Sequence, residues 1–507
     1  MKKNFTLVLC LCLFVCLLFA QSSQNNKVLT VGVESDIDML SPWESGFAVT
    51  SKIFWNVLET LVTFEEQSNK IKPNLAISWE VDDRNRIWTF KLREGVKFHD
   101  GSSLTADDVV ASATLFSDLN AKAEKIAPLT VRFTLPEPHS GFLNRLVDIM
   151  YGIASARNID EYKSLWKVGR LEEFIPIGTG PFKFSQYEKG KEIVFESFSD
   201  YWQGAPKIDK LVYQIIPDNE SRLIALEKGE IDLLDVIYPA DLPRVMKNPA
   251  LKVESLFGMN ICFIAINTAR KPLDNIKIRK ALNMAIDKTR LVRLFYFGSY
   301  GVPTNRVLSP AFWRYNILSN PGIYQITKAK EILAETGYEN GLSLELLCIP
   351  RARPYLPDPR GVAEEIKSQL ATIGVNVSIN MPATYPEYDL IAKEGDYDLS
   401  LAGWIDVTGD PDYTLSSLLS SKASIYNESH WSNELFDRKL QQARELPHNN
   451  INGRIRLYNE AEKIFQDEAP WVPLVHTKIL IIHHQKVKNI IFYPSSMISY
   501  YKVILND

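Results

Sequence analysis

Hydrophobic positions along this chain change period repeatedly. Trp88, Phe90 and Leu92 alternate with Thr89, Lys91 and Arg93, the pattern of a half-buried strand. Asp100-Gly101 then supplies turn chemistry, and Thr105 with Asp108 three residues on has the form of a capping box opening a helix. Further along, Val362, Ile366 and Leu370 recur on one helical face, Gly374 stands at a C-cap position, and Val375, Val377 and Ile379 alternate as a strand. A similar helix–strand unit spans Ile326 to Ile349, and one helix is predicted from Ile278 to Leu291. Leu399 and Leu401 read as a buried strand ended by Gly403. Strands alternating with helices throughout define an α/β protein.

The first twenty residues follow another rule. Lys2 and Lys3 precede an apolar run from Phe5 to Phe19, too short for a membrane span and of the length of a signal-peptide core. Cleavage after Ala20 is expected. LFVC, Leu13 to Cys16, is the alternative, with Cys16 as a lipidated residue behind Val15, where a small residue is usual. Such a leader sends the chain to the periplasm or another extracytoplasmic space. Removing it leaves Cys262 and Cys348, which either pair or stand as separate buried thiols.

Of 507 residues, 46% are hydrophobic and 23% charged, enough for two or three cores. The formal charge is −4 with both signs mixed, so nucleic acid has no basic surface to bind. G-x-S-x-G, H-E-x-x-H, P-loop and G-x-G-x-x-G patterns are absent, which argues against an enzyme and against a cofactor. His99 and Asp100 sit near Asp107 and Asp108, but strand, turn and cap account for each of them without a catalytic or metal site. His483 and His484 adjoin on a predicted strand, so their rings diverge rather than chelate, and a surface position is expected.

Seven blocks carry a resemblance. They are PNLAISWEVDD (Pro73 to Asp83), KFHDGSSLTADDVVAS (Lys97 to Ser112), GTGPFKF (Gly178 to Phe184), RLIALEKGEIDLL (Arg222 to Leu234), KPLDNIKIRKALNMAIDK (Lys271 to Lys288), KAKEILAETGY (Lys328 to Tyr338) and GDPDYTLSSLL (Gly409 to Leu419). In this order they resemble the extracytoplasmic solute-binding proteins, family 5, of peptide/nickel-type ABC importers. GMN and AIN between Gly258 and Asn267 are most similar to the dipeptide-binding branch.

The resemblance implies a two-lobed periplasmic-binding-protein-like fold of the cluster C type, with a domain inserted in lobe one. The implied boundaries are 1–20 for the signal peptide, 28–58 for lobe one, 59–177 for the inserted domain, 178–269 for lobe one again, 270–478 for lobe two and 479–507 for the last part of lobe one. A monomer is expected, delivering a short peptide, a dipeptide foremost, to a permease and ATPase complex. Haem, a metal chelate or a sugar is the alternative ligand, and an extracytoplasmic hydrolase or chaperone-like protein the remote alternative.

The resemblance also implies a site. In RARPYLPDP, Arg353 matches an arginine that holds the peptide carboxylate, with Tyr355 beside it; the three prolines stiffen this loop. In LSLAGWIDVTGDPDY, Trp404 matches a pocket-wall aromatic. The acid that relatives carry three residues after it is Val407 here, so Asp406 is left to take the amine. Ser45 and Gly46, after the first strand, match a cleft-lining segment.

Overall fold

A computed structural model describes residues 26–43, 45, 48–312, 322–423 and 426–506. The expected signal peptide (1–20), Cys16 and Gly46 lie outside the described residues.

One mixed sheet of twelve strands runs through both lobes. Its first half holds Phe182–Glu188, Glu192–Ser197, Lys210–Ile215, Val28–Val33 and Leu233–Leu234. Val28–Val33 lies parallel to both Lys210–Ile215 and Leu233–Leu234. The second half holds Asn260–Ile266, Leu399–Ile405, Leu342–Cys348 and Val375–Asn380, the last three parallel to one another and Leu399–Ile405 antiparallel to Asn260–Ile266.

The strand Trp471–His484 joins the halves. Its Trp471–Val475 portion pairs with Asn260–Ile266, and Lys478–His484 pairs with Leu251–Phe257. The chain thus crosses between lobes twice, at Gly258–Met259 and at His476–Thr477. The Thr477 carbonyl accepts from Gly258 N at 3.0 Å, and Asn260 Oδ1 accepts from Thr477 N at 2.8 Å. His476 Nδ1 donates to the Asn260 carbonyl at 2.6 Å, and burial pushes the imidazole down to about 4, so the ring stays neutral. Asn260–Ile266, expected in lobe one by the 178–269 boundary, instead pairs with Leu399–Ile405 of the second half. All seven of its residues are buried, so no polar break in the sequence marks the crossing.

A separate antiparallel sheet, ordered Ala76–Val81, Ile87–Leu92, Thr130–Thr134 and Lys122–Ala127, forms within the segment expected as the inserted domain. Trp88, Phe90 and Leu92 are buried as their alternation predicts, each worth about 2 kcal/mol relative to exposure.

Helix Pro359–Ala371 and strand Val375–Asn380 fall where the periodicity puts them, as do Ile326–Glu335 and Leu342–Cys348. The single helix expected over Ile278–Leu291 is two, Ile276–Ala285 and Lys288–Phe295. Asp287 interrupts it and caps the second, accepting from Arg290 N at 2.9 Å. His483 is buried, not at the surface, because the long strand stays inside the sheet to its end; His484 turns away and bonds the Leu226 carbonyl at 2.6 Å. Cys262 and Cys348 are both buried free thiols.

Candidate functional site

The histidine and acids of the signature run are consumed by the scaffold. His99 Nδ1 accepts from Gly178 N at 3.3 Å while Nε2 donates to the Gly180 carbonyl at 3.0 Å. That arrangement needs a neutral ring, and burial holds its pKa at about 4. Gly178 and Gly180 allow it, since a side chain on either would collide with the Val57 carbonyl. Asp100 Oδ1 accepts from Ser102 N at 3.0 Å and from its hydroxyl at 2.6 Å. Asp108 accepts from Thr105 N and Ala156 N, both at 2.8 Å.

Arg353 stands on a rigid loop. Strand Leu342–Cys348 leads into it, and Asp358 ends it by capping helix Pro359–Ala371. Arg353 and Leu356 exchange backbone hydrogen bonds at 3.0 and 2.9 Å. The Pro354 carbonyl accepts from Tyr300 Oη at 2.7 Å and from the hydroxyl of crossing residue Thr477 at 3.2 Å. The Tyr355 carbonyl accepts from Tyr296 Oη at 3.0 Å. The Arg353 guanidinium lies 4.4 Å over the Tyr385 ring and forms no ion pair among the described residues.

Arg353, Pro354, Pro357 and Tyr300 form one wall of an inter-lobe cavity whose other wall is Asp235–Tyr238. There Lys52, on helix Ala48–Phe54, makes a buried ion pair with Asp235 at 2.5 Å. Burial opposes the ammonium, but the Asp235 and Glu34 carboxylates outweigh it and raise the pKa. Ser45 precedes this helix and donates to Asp38 Oδ1 at 2.6 Å.

Trp404 ends strand Leu399–Ile405 and contacts Tyr413 and Tyr426, with ring centroids 5.7 and 5.4 Å away. Its Nε1 is buried without a hydrogen-bond partner among the described residues. Tyr355 is buried, its ring against Gly403, where a Cβ would strike it.

Asp406 behaves differently from its expected role. It is 1% exposed and accepts four hydrogen bonds, from Thr408 N (2.7 Å), Thr408 Oγ1 (2.9 Å), Gly409 N (2.9 Å) and Thr414 Oγ1 (2.6 Å). Burial pushes its pKa up to about 6 against those bonds. Three of these bonds converge on Oδ1 and the Thr414 hydroxyl takes Oδ2, so the carboxylate is held by the loop that follows it and by the next helix.

The segment expected as the inserted domain contacts helix Glu434–Glu445 and the loop after strand Leu399–Ile405. Ser140 N donates to the Arg444 carbonyl at 3.0 Å, and Asn144 Nδ2 to the Thr408 carbonyl at 3.0 Å. Lys52, Asp235 and Tyr385 went unnoticed in sequence reasoning, because only the fold brings them beside Arg353 and the cavity it lines. No helix among the described residues is long and apolar enough to cross a membrane, and no metal-ligating group of three or more His, Cys, Asp or Glu occurs among them.

Two lobes on one continuous sheet, joined by two crossings with a charged and aromatic cleft beside them, define a solute-binding protein of the cluster C type. Residues 70–425 match the family model described as bacterial extracellular solute-binding proteins, family 5 middle, and the chain belongs to that family. The chain is 34% identical to heme-binding protein A of Haemophilus influenzae, over 88% of this chain and 86% of that one. It is 32% identical to the dipeptide-binding protein of Escherichia coli, over 86% of each. A crystal structure of a dipeptide-binding protein from Pseudoalteromonas sp. SM9913 in complex with Met-Leu covers 95% of this chain and 100% of that one, at 27% identity and a TM-score of 0.83. The family is one of non-catalytic solute-binding proteins of ABC importers.

Proposed function

We propose that this protein captures short peptides, dipeptides foremost, between its lobes and delivers them to an ABC permease and its ATPase from the periplasmic or extracytoplasmic side. The observation that carries this reading is Arg353, a cation on a stiffened strand-end loop, stacked on Tyr385 and facing the opposite lobe with no ion pair among the described residues. A guanidinium presented this way suits a peptide's terminal carboxylate. Trp404, with Tyr413 and Tyr426, packs on the ligand, and Tyr355 supports the carboxylate end. Asp406 organises its own loop, and Ser45 sets the lip beside Lys52. The inserted domain, residues 59–177, braces the lobes, and closure turns on the crossings at Gly258–Met259 and His476–Thr477. The protein acts as a monomer.

Titration calorimetry with dipeptides tests this. Arg353→Ala removes the charge partner of the bound carboxylate and should weaken binding by about 2 kcal/mol or more, roughly thirtyfold. Unchanged affinity would take Arg353 out of the site. A second reading, haem or another anionic chelate, draws on the heme-binding relative and on the burial of Asp406, the expected amine acceptor, in its own loop.

A further inference from the structure

A peptide that gives its carboxylate to Arg353 still brings an ammonium into the cleft. An unpaired ammonium out of water costs several kcal/mol in order-of-magnitude terms, so an acid must meet it. Asp406 is 1% exposed and turned into its own loop, as shown above. Another carboxylate of the same lobe is held half-used.

Glu428 sits between the two parts of the wall that carries Arg353 and Trp404. Its Oε2 accepts from Ser400 Oγ at 2.6 Å and from Tyr388 Oη at 2.9 Å. Ser400 lies four residues before Trp404 on one strand, and Tyr426, two residues before Glu428, touches the Trp404 ring. Tyr388 lies on the helix Tyr385–Glu394, whose first residue stacks under Arg353. Glu428 is therefore tied at one end to the Trp404 strand and at the other to the Arg353 platform.

Two hydroxyls fix the direction of the carboxylate, and Oε1 carries no hydrogen bond among the described residues. Glu428 forms no ion pair among them either, so its charge is not answered locally. Burial raises its pKa, and the Asp389 carboxylate adds to the rise, so an added cation would be favoured there. The nearby Trp404 Nε1 is likewise buried and unpartnered. Arg353 and Glu428, neither in an ion pair among the described residues, are thus linked through the one helix that carries Tyr385 and Tyr388, an arrangement of opposite charges that suits a small zwitterion.

We infer that Glu428 receives the α-ammonium of the bound peptide through Oε1, making it a specificity-determining residue for ligands with a free amino terminus. This rests on the peptide reading above. Calorimetry on the full mature protein would use Ala-Ala and N-acetyl-Ala-Ala against wild type and Glu428→Gln, a variant that keeps an oxygen for Ser400 and Tyr388 and whose folding is checked by thermal melting. Wild type should prefer the free amine by about tenfold or more, and Glu428→Gln should lose that preference by weakening Ala-Ala alone. Retention of the preference in Glu428→Gln overturns the role of Glu428 and leaves peptide binding intact. Equal binding of both probes by wild type overturns it also, whatever the variant does. Binding of neither probe by wild type overturns the peptide reading and this inference together.

Discussion

The junction around His99 and Glu59 and the wall from Arg353 to Trp404 are built from similar side chains, charged and aromatic, mostly buried. They differ in how completely their polar groups are used. At the junction His99 engages both nitrogens, and Glu59 accepts from Thr179 Oγ1 at 2.9 Å, Tyr201 Oη at 3.0 Å and Trp202 Nε1 at 2.9 Å. On the wall, Arg353 forms no ion pair, Glu428 Oε1 has no donor and Trp404 Nε1 no acceptor among the described residues. Buried polar groups in folded proteins are almost always paired. The open groups of the wall are what its proposed binding role would use.

The largest effect that would sharpen this contrast is expected at Glu59. Burial lifts its carboxyl from the ordinary value of 4.5 to about 7 despite its three donors. The folded protein therefore keeps a proton that the unfolded chain has lost, so stability declines as pH rises from about 4.5 through about 7. The slope is worth up to about 3 kcal/mol in order of magnitude. Glu59→Gln should flatten that slope in urea titrations at pH 5 and pH 8 while peptide affinity stays unchanged. An unaltered slope would contradict the assignment, and lost affinity would move the junction into the site.

Asp406 supplies a smaller and opposite check. It lies two residues from Trp404 yet behaves like a junction residue, held by four hydrogen bonds from its own chain segment. Asp406→Asn should lower stability by about 1–2 kcal/mol through weaker acceptance from the loop's backbone N–H groups. Peptide affinity of the folded variant should stay within about threefold of wild type. A large affinity loss at unchanged stability would make Asp406 the amine anchor after all and break the distinction drawn here.

Local pattern carried much of the fold. The alternation at Trp88, Phe90 and Leu92 became a strand with those three inward, and the Val362, Ile366 and Leu370 stripe became a buried helix face. Where the outcome differed, tertiary placement decided. Ile286 continues an apolar stripe across a true helix break, and Asp287 reveals itself only as a cap. His483 looks like a solvated end of a strand until Leu251–Phe257 and Leu233–Leu234 are seen to flank it.

The site divides the same way. Arg353 was legible because prolines and a preceding strand announce a rigid loop. The hydrogen bonds of Asp406 were not legible, because spacing does not say which way a carboxylate turns. Glu428, in the run Tyr426-Asn427-Glu428-Ser429-His430, reads as an ordinary turn, and only Ser400 and Tyr388, far away in sequence, give it a direction.

Native mass spectrometry of the protein purified from its host, followed by denaturation, tests the central claim most directly. The account predicts a bound mass that is released on denaturation and identified as a di- or tripeptide with a free amino terminus. Release of a haem, a metal chelate or a sugar instead would contradict it.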